Sequence, residues 1–323
     1  MILPSPVIQS PRWMYTKHLQ TIIPNVYRRV EGVFYQRERI SSWDNDFIDL
    51  DWSKVGSPKL VLLLHGFEGS SERVYAKGLT RMLNEQGFDV CAMNLRGCSG
   101  EDNIQLYSYH SGKTDDVDWV VQHIAATPSY SEIYMVGISL GGNLTMKYLG
   151  EELWDSVRHI QAAVAVSVPV HYETSFQHLI KGWNKIYERR FTKQVKEKVR
   201  RKMPRYPGVV DYNRVLAARN LWEFTAAFTV PIHGFKDVDD YNKQVQAYTY
   251  LGGIRTPVLL INADNDPLLT KECYPLQQAS DSKFLDLEIT RNGGHVGFCE
   301  DLNEKHNWLE KRIIRYLLQR EEI

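Results

Sequence analysis

Ser139 stands in "GISLG", bracketed by Gly137 and Gly141. The segment before it, "EIYMV", is made of apolar β-formers, and the segment after it, "NLTMKYL", favours helix. A tight strand-to-helix turn needs glycine two residues either side of the serine, because larger side chains would collide there. Such a turn lifts the hydroxyl above the sheet and aims the next backbone N–H into the same space. A serine hydroxyl is a poor nucleophile until a base takes its proton, so a histidine and an orienting acid are required further along. The chain supplies both. "LLINADNDPLLT" closes an apolar run with Asp264 and Asp266, and "RNGGHVGF" places His295 in a glycine-rich loop after "KFLDLEIT". Serine, acid, histidine is the chain order that a nucleophile elbow calls for. The spacing leaves two aspartates open, since either could occupy the loop after the strand while the other caps or hydrogen-bonds it.

Acyl transfer also needs donors aimed at the developing oxyanion. The backbone N–H groups of Phe67, in "LLLHGFEGSS", and of Leu140 are the expected pair. His65 is read as holding the Phe67 loop rather than as a second base. Other signals are weaker. "YSYHSGKT" ends like a phosphate-binding loop, but Tyr107 stands where the first glycine is required and no buried strand leads into it. Cys98, on a loop after a core run, is read as packed rather than reactive. His171 and His178 are isolated, no histidine pair has metal-ligand spacing, and neither a metal nor a cofactor is expected.

The elements that must hold these residues follow from hydrophobic patterning. "KLVLLLH" (59 to 65), "FDVCAMNLRG" (88 to 97), "EIYMVGIS" (132 to 139), "IQAAVAVSVPV" (160 to 170) and "RTPVLLINAD" (255 to 264) read as strands buried on both faces, with helical patterns between them. That alternation predicts an α/β fold, a mostly parallel sheet with helices on both faces. "GVFYQRERI" and "NDFIDLDW" are more polar and read as an antiparallel edge, and "NWLEKRIIRYLLQR" as a closing amphipathic helix. The 323 residues are read as a single domain. Residues 171 to 230 are too many for a simple crossover and predict a helical lid inserted above the strand ends. Within it Phe191, Val195 and Val199 recur every four residues among eight Lys/Arg between 189 and 202. The basic face reads first as a solvated helix face. The alternative is a weak peripheral contact with membrane or lipid through the lid.

Lys+Arg and Asp+Glu both total 39, so no overall charge favours nucleic acid. Four cysteines without CxxC spacing point to a reducing compartment. No basic leader precedes an apolar run, and no segment is long enough to cross a bilayer. A cytoplasmic location is therefore expected.

"HLQTIIP", "HGFEGSS", "LRGCSGE", "YHSGKTDD", "VGISLGGNLTMKYLGEE", "GFKDVDDYN", "LINADNDP" and "GGHVGF" together resemble the YheT-like branch of the α/β-hydrolases, the AB hydrolase 4 family. The likeness runs over nearly the whole chain and is weakest in the lid. It implies a serine hydrolase that cleaves carboxylic, lipid-like esters of small molecules. It also implies that Asp266 is the acid of a Ser139, Asp266, His295 triad. Two other readings stand beside this one: an acyltransferase or ester synthase with the same triad, separated by its use of alcohol in place of water, and a noncatalytic binding protein on the hydrolase fold.

Overall fold

A computed structural model describes residues 1–151 and 153–319. Its sheet has eight strands: β1 (Gln36–Ser41), β2 (Phe47–Ser53), β3 (Lys59–Leu64), β4 (Asp89–Asn94), β5 (Glu132–Ile138), β6 (Ile160–Val166), β7 (Val258–Ala263) and β8 (Leu285–Thr290). They lie in the order β1-β2-β4-β3-β5-β6-β7-β8. β1 runs antiparallel to β2 and β2 to β4, and the remaining pairings are parallel.

Side chains alternate across the sheet and feed two cores. Leu60, Leu62 and Leu64 face one way, with Val117, Val120 and Leu144 from the helices Thr114–Ala125 and Leu140–Gly150. Val61 and Leu63 face the other way, with Leu79, Leu83, Ile313 and Leu317 from the helices Val74–Glu85 and Trp308–Leu318. Each such side chain, fully buried, contributes about 1.5–3 kcal/mol. Two-faced burial is why these strands read as unbroken apolar runs.

Three differences from the expected elements have local causes. The β4 run stops at Asn94 because the chain turns, with Cys98 N–H donating to the Leu95 carbonyl at 2.9 Å. β6 stops at Val166 because Ser167 has a φ of 51°. β1 and β2 form the expected antiparallel edge of the sheet, but β2, read as the more polar kind of strand, is buried along its length between β1 and β4. Its Asp49 and Asp51 are buried because Arg39 and Arg37 of β1 form two-pronged ion pairs with them at 2.7–2.9 Å.

Between β6 and β7 the chain is helical: Tyr172–Leu179, Lys185–Lys202, Tyr212–Ala217, a run from Leu221 to His233, and Val238–Val245. The boundary expected at 230 falls inside the fourth of these. That run passes through a π turn at Thr225–Thr229 and ends at Gly234, whose φ is 74°. The segment has its own apolar clusters, one of which includes Phe67 of the loop after β3. No helix among the described residues is long and apolar enough to cross a membrane.

Candidate active site

β5 ends at Ile138 and the next helix begins at Leu140, so Ser139 occupies the whole turn. Its φ of 55° and ψ of −115° are unfavourable for a residue with a Cβ. The turn is held by the Ser139 N–H donating to Val166 O at 2.7 Å. The flanking glycines are required by close approach. A Cβ on Gly137 would collide with the Gly141 carbonyl, and one on Gly141 with the Leu64 carbonyl of the neighbouring strand.

The fold brings the predicted residues together from three separate strand ends. His295 Nε2 lies 2.9 Å from Ser139 Oγ, and His295 Nδ1 lies 2.8 Å from Asp266 Oδ2. A carboxylate only accepts, so Nδ1 carries the proton and Nε2 offers its lone pair to the serine hydroxyl. The Asp266 side chain is fully buried and that of His295 is 13% exposed. Asp266 Oδ1 accepts from Leu268 N–H at 2.8 Å, which fixes the carboxylate plane. Asp264, the other candidate, is exposed.

The loop after β3 reaches the same point: a Cβ on Gly66 would stand 3.2 Å from that of Ser139. Its neighbouring donors are taken. Gly66 N–H donates to Tyr75 Oη at 2.9 Å and Glu68 N–H to Tyr109 Oη at 2.8 Å. Among the described residues the N–H groups of Phe67 and Leu140 have no acceptor, and both residues line the pocket at Ser139. His65 is buried behind the loop, with Nδ1 donating to Gly66 O at 2.7 Å and Nε2 accepting from Leu95 N–H at 3.0 Å. Burial pushes its pKa down to about 4, so it stays neutral and structural.

The pocket, about 240 Å³, opens at Ser139 between Leu140, Phe176, Leu179, Phe191, Leu268 and Leu269. Phe191 of the helix Lys185–Lys202 meets Phe67 edge-on, ring centres 5.1 Å apart. Farther along that helix Lys198 donates to Glu68 Oε1 at 2.8 Å and to Cys98 Sγ at 3.1 Å, and Arg201 pairs with Asp102 at 2.7 Å. Lys202 is buried among Asn103, Gln105 and Ser108. Burial raises the Cys98 thiol to about 11 in spite of Lys198, which leaves it protonated. Lys196 and Arg201 of the expected basic face are thus engaged with protein, Lys196 donating to Ala218 O at 2.8 Å.

Sequence reasoning missed the residues that hold the histidine loop. His295 N–H donates to Thr21 Oγ1 at 2.9 Å, Gly293 N–H to Gln20 Oε1 at 3.2 Å, and Gly294 N–H to Asn265 Oδ1 at 3.0 Å. Asn265 Nδ2 also donates to Gln20 Oε1, at 2.8 Å. Val296 N–H donates to Ser167 Oγ at 3.0 Å. Gln20 and Thr21 lie in "HLQTIIP", which carried the family resemblance but no spacing that points to position 295.

Known proteins place this geometry. The family described as the alpha/beta hydrolase fold matches residues 59–210. YheT of Escherichia coli (strain K12), a protein named as an esterase, is 35% identical over 93% of this chain and 89% of its own. Phospholipase ABHD3 of Homo sapiens is 25% identical over 95% of this chain and 77% of its own. Among solved structures, the Pyrococcus furiosus esterase Pf2001 superposes with a TM-score of 0.60 at 16% identity, covering 98% of each chain, a likeness of fold. An elbow serine after the fifth strand, a histidine loop after the last and a relative 35% identical over 93% of the chain lead to one conclusion: the chain belongs to the α/β-hydrolases, in the branch that contains YheT.

Proposed function

We propose that the protein hydrolyses carboxylic esters of lipid-like small molecules through an acyl-enzyme on Ser139. The observation that carries this reading is the hydrogen-bonded series from Asp266 through His295 to Ser139, at 2.8 and 2.9 Å, beside two unoccupied N–H donors. His295 Nε2 takes the serine proton as Oγ attacks the ester carbonyl carbon. Phe67 and Leu140 N–H donate to the oxyanion, and Asp266 stabilises the imidazolium. His295 then returns the proton to the departing alkoxide as the C–O bond breaks. Water, deprotonated by the same base, releases the acid and restores the serine. The apolar pocket favours an acyl chain, in keeping with relatives named as esterase and phospholipase.

In this reading the whole chain acts as one domain, and residues 171 to 230 form its lid. Support comes from Phe191 on Phe67 and Lys198 on Glu68, which tie that segment to the oxyanion loop. We assign the protein to the cytoplasm on its cysteine usage.

A fluorophosphonate probe tests the central step, because only an activated serine attacks phosphorus at a useful rate. The wild type should be labelled and turn over p-nitrophenyl esters, and Ser139→Ala and His295→Ala should do neither. Labelling that survives unchanged in Ser139→Ala would remove Ser139 from the mechanism.

A further inference from the structure

The pocket around Ser139 is lined mostly by apolar side chains with some neutral polar ones, and the side chains in its lining that carry a fixed charge are Arg73 and Arg190. No carboxylate among the described residues lines it. The fully buried guanidiniums are answered by acids, Arg28 by Glu310 and Arg96 by Asp116. Arg73, half-buried, and Arg190, exposed at the pocket's edge, form no ion pair among the described residues. Arg73 is half-buried at the start of the helix Val74–Glu85, and one of its Nη groups donates to the Glu68 carbonyl at 2.7 Å. That bond fixes it against the loop carrying the Phe67 N–H and leaves its other donors unengaged. Arg190 is exposed and lies on a separate element, the helix Lys185–Lys202, next to Phe191 and one turn from Gln194, both of which line the same pocket.

Two guanidiniums from separate elements that line one largely apolar cavity, with no acid beside them among the described residues, would suit an anion at the end of an apolar molecule. A guanidinium offers a planar fork of donors that matches carboxylate and phosphate oxygens, and its bonds to them are stronger than neutral ones. The apolar lining would accept the hydrocarbon part of such a molecule and Ser139 its ester carbonyl. We propose that Arg73 and Arg190 are specificity-determining residues that hold an anionic group, carboxylate or phosphate, on the ester this pocket takes. The preferred substrate class is then a charged amphiphilic ester rather than a neutral one. This inference rests on the reading of Ser139 as an ester-cleaving nucleophile.

The test uses two matched pairs of esters. In one, p-nitrophenyl valerate is compared with mono-p-nitrophenyl glutarate, which places a carboxylate on the acyl half. In the other, monooleoylglycerol is compared with oleoyl lysophosphatidate, which places a phosphate on the alcohol half. The full chain should prefer the anionic member of at least one pair, and the pair that shows the preference identifies the source of the anion. Arg190→Gln should lower the ratio of kcat/KM, anionic over neutral, by about ten- to a hundredfold, as loss of a charge-assisted hydrogen bond would. The loss should fall mainly in KM, and Arg190→Lys should recover part of it, which a merely structural role would not produce. Raised salt should shrink the wild-type preference. A wild type that favours the neutral member of both pairs, or a ratio unmoved in Arg190→Gln, overturns the inference while leaving ester hydrolysis standing. Failure to cleave any of the four esters overturns the hydrolase reading and this inference with it.

Discussion

Asp266→Asn is the substitution whose consequence the geometry specifies most closely. The wild-type carboxylate is fully buried and spends both oxygens, Oδ1 accepting from Leu268 N–H at 2.8 Å and Oδ2 from His295 at 2.8 Å. An asparagine there has one acceptor and one donor group. The Leu268 N–H demands the acceptor, so the amide NH2 takes the place of Oδ2 and points at His295 Nδ1. Nδ1 must then accept, and the ring proton moves to Nε2, the atom that should receive the Ser139 proton. The base is lost without any change of shape. In comparable triads the wrong tautomer lowers kcat by about 10⁴, which is about 5.4 kcal/mol of transition-state stabilisation. Asp264 is exposed, its backbone N–H bonded to Thr290 O at 2.8 Å, so Asp264→Asn should stay within about threefold of wild type. The assay is steady-state hydrolysis of a p-nitrophenyl ester, with the rate of fluorophosphonate labelling as a second readout and circular dichroism to establish folding. A folded Asp266→Asn that keeps more than a tenth of wild-type kcat, or an Asp264→Asn that loses more, would refute the tautomer argument.

Other expectations follow from the same contacts. Thr21→Val removes the acceptor of the His295 N–H while keeping the side chain's shape; stability should fall by about 1–3 kcal/mol in urea titration, and kcat by about ten- to a hundredfold with KM little changed. Burial pushes His65 and His233 down to about 4 and His110 well below its usual range, so the fold excludes protons that the unfolded chain accepts. Their stability contribution is complete above about pH 6.5 and is lost as the pH falls toward 4, by about 1.4 kcal/mol per unit for each histidine. Urea midpoints at pH 7, 6 and 5 should decline accordingly, and a flat profile would contradict it. Co-sedimentation with anionic vesicles at low and high salt separates the two readings of the basic helix face. Negligible binding by both wild type and a variant with Arg189, Lys193 and Arg200 changed to Gln is expected, and salt-sensitive binding lost in that variant would establish a lipid contact.

What was legible in the sequence was what local pattern encodes. Strands β3 to β7 stood out because burial on both faces removes polar residues from them, and Ser139 stood out because the turn it occupies admits only glycine on either side. The order of serine, acid and histidine could be read because each lies just past a strand. The choice between Asp264 and Asp266 could not, since two residues of loop decide which carboxyl turns inward. β2 misled because Asp49 and Asp51 look like surface residues until Arg39 and Arg37 are set beside them by strand pairing. Gln20 and Thr21 were silent as functional residues because the site partners they hold lie more than 240 positions away. Such separation is visible only after the chain has folded.

Among the described residues, six other than glycine adopt positive φ: Asn45, Glu68, Ser139, Ser167, Val296 and Phe298. Of these, Ser139 is the proposed nucleophile, Glu68 and Val296 each adjoin a residue of the proposed machinery, and Ser167 accepts the Val296 N–H. Backbone tension of roughly 1–3 kcal/mol at each such residue is thus concentrated where the chemistry is arranged rather than spread over the fold. For protein engineering this sets a boundary. Replacing Glu68 by glycine would relieve the backbone but cut its bonds to Lys198 and Tyr109, and glycine for Val296 would empty a buried site, so either exchange would cost stability as well as free the loops that aim His295 and the Phe67 N–H. Thermal hardening therefore has to be sought at the helices behind the sheet, because at the strand ends the strained backbone cannot be relaxed without dismantling what holds it.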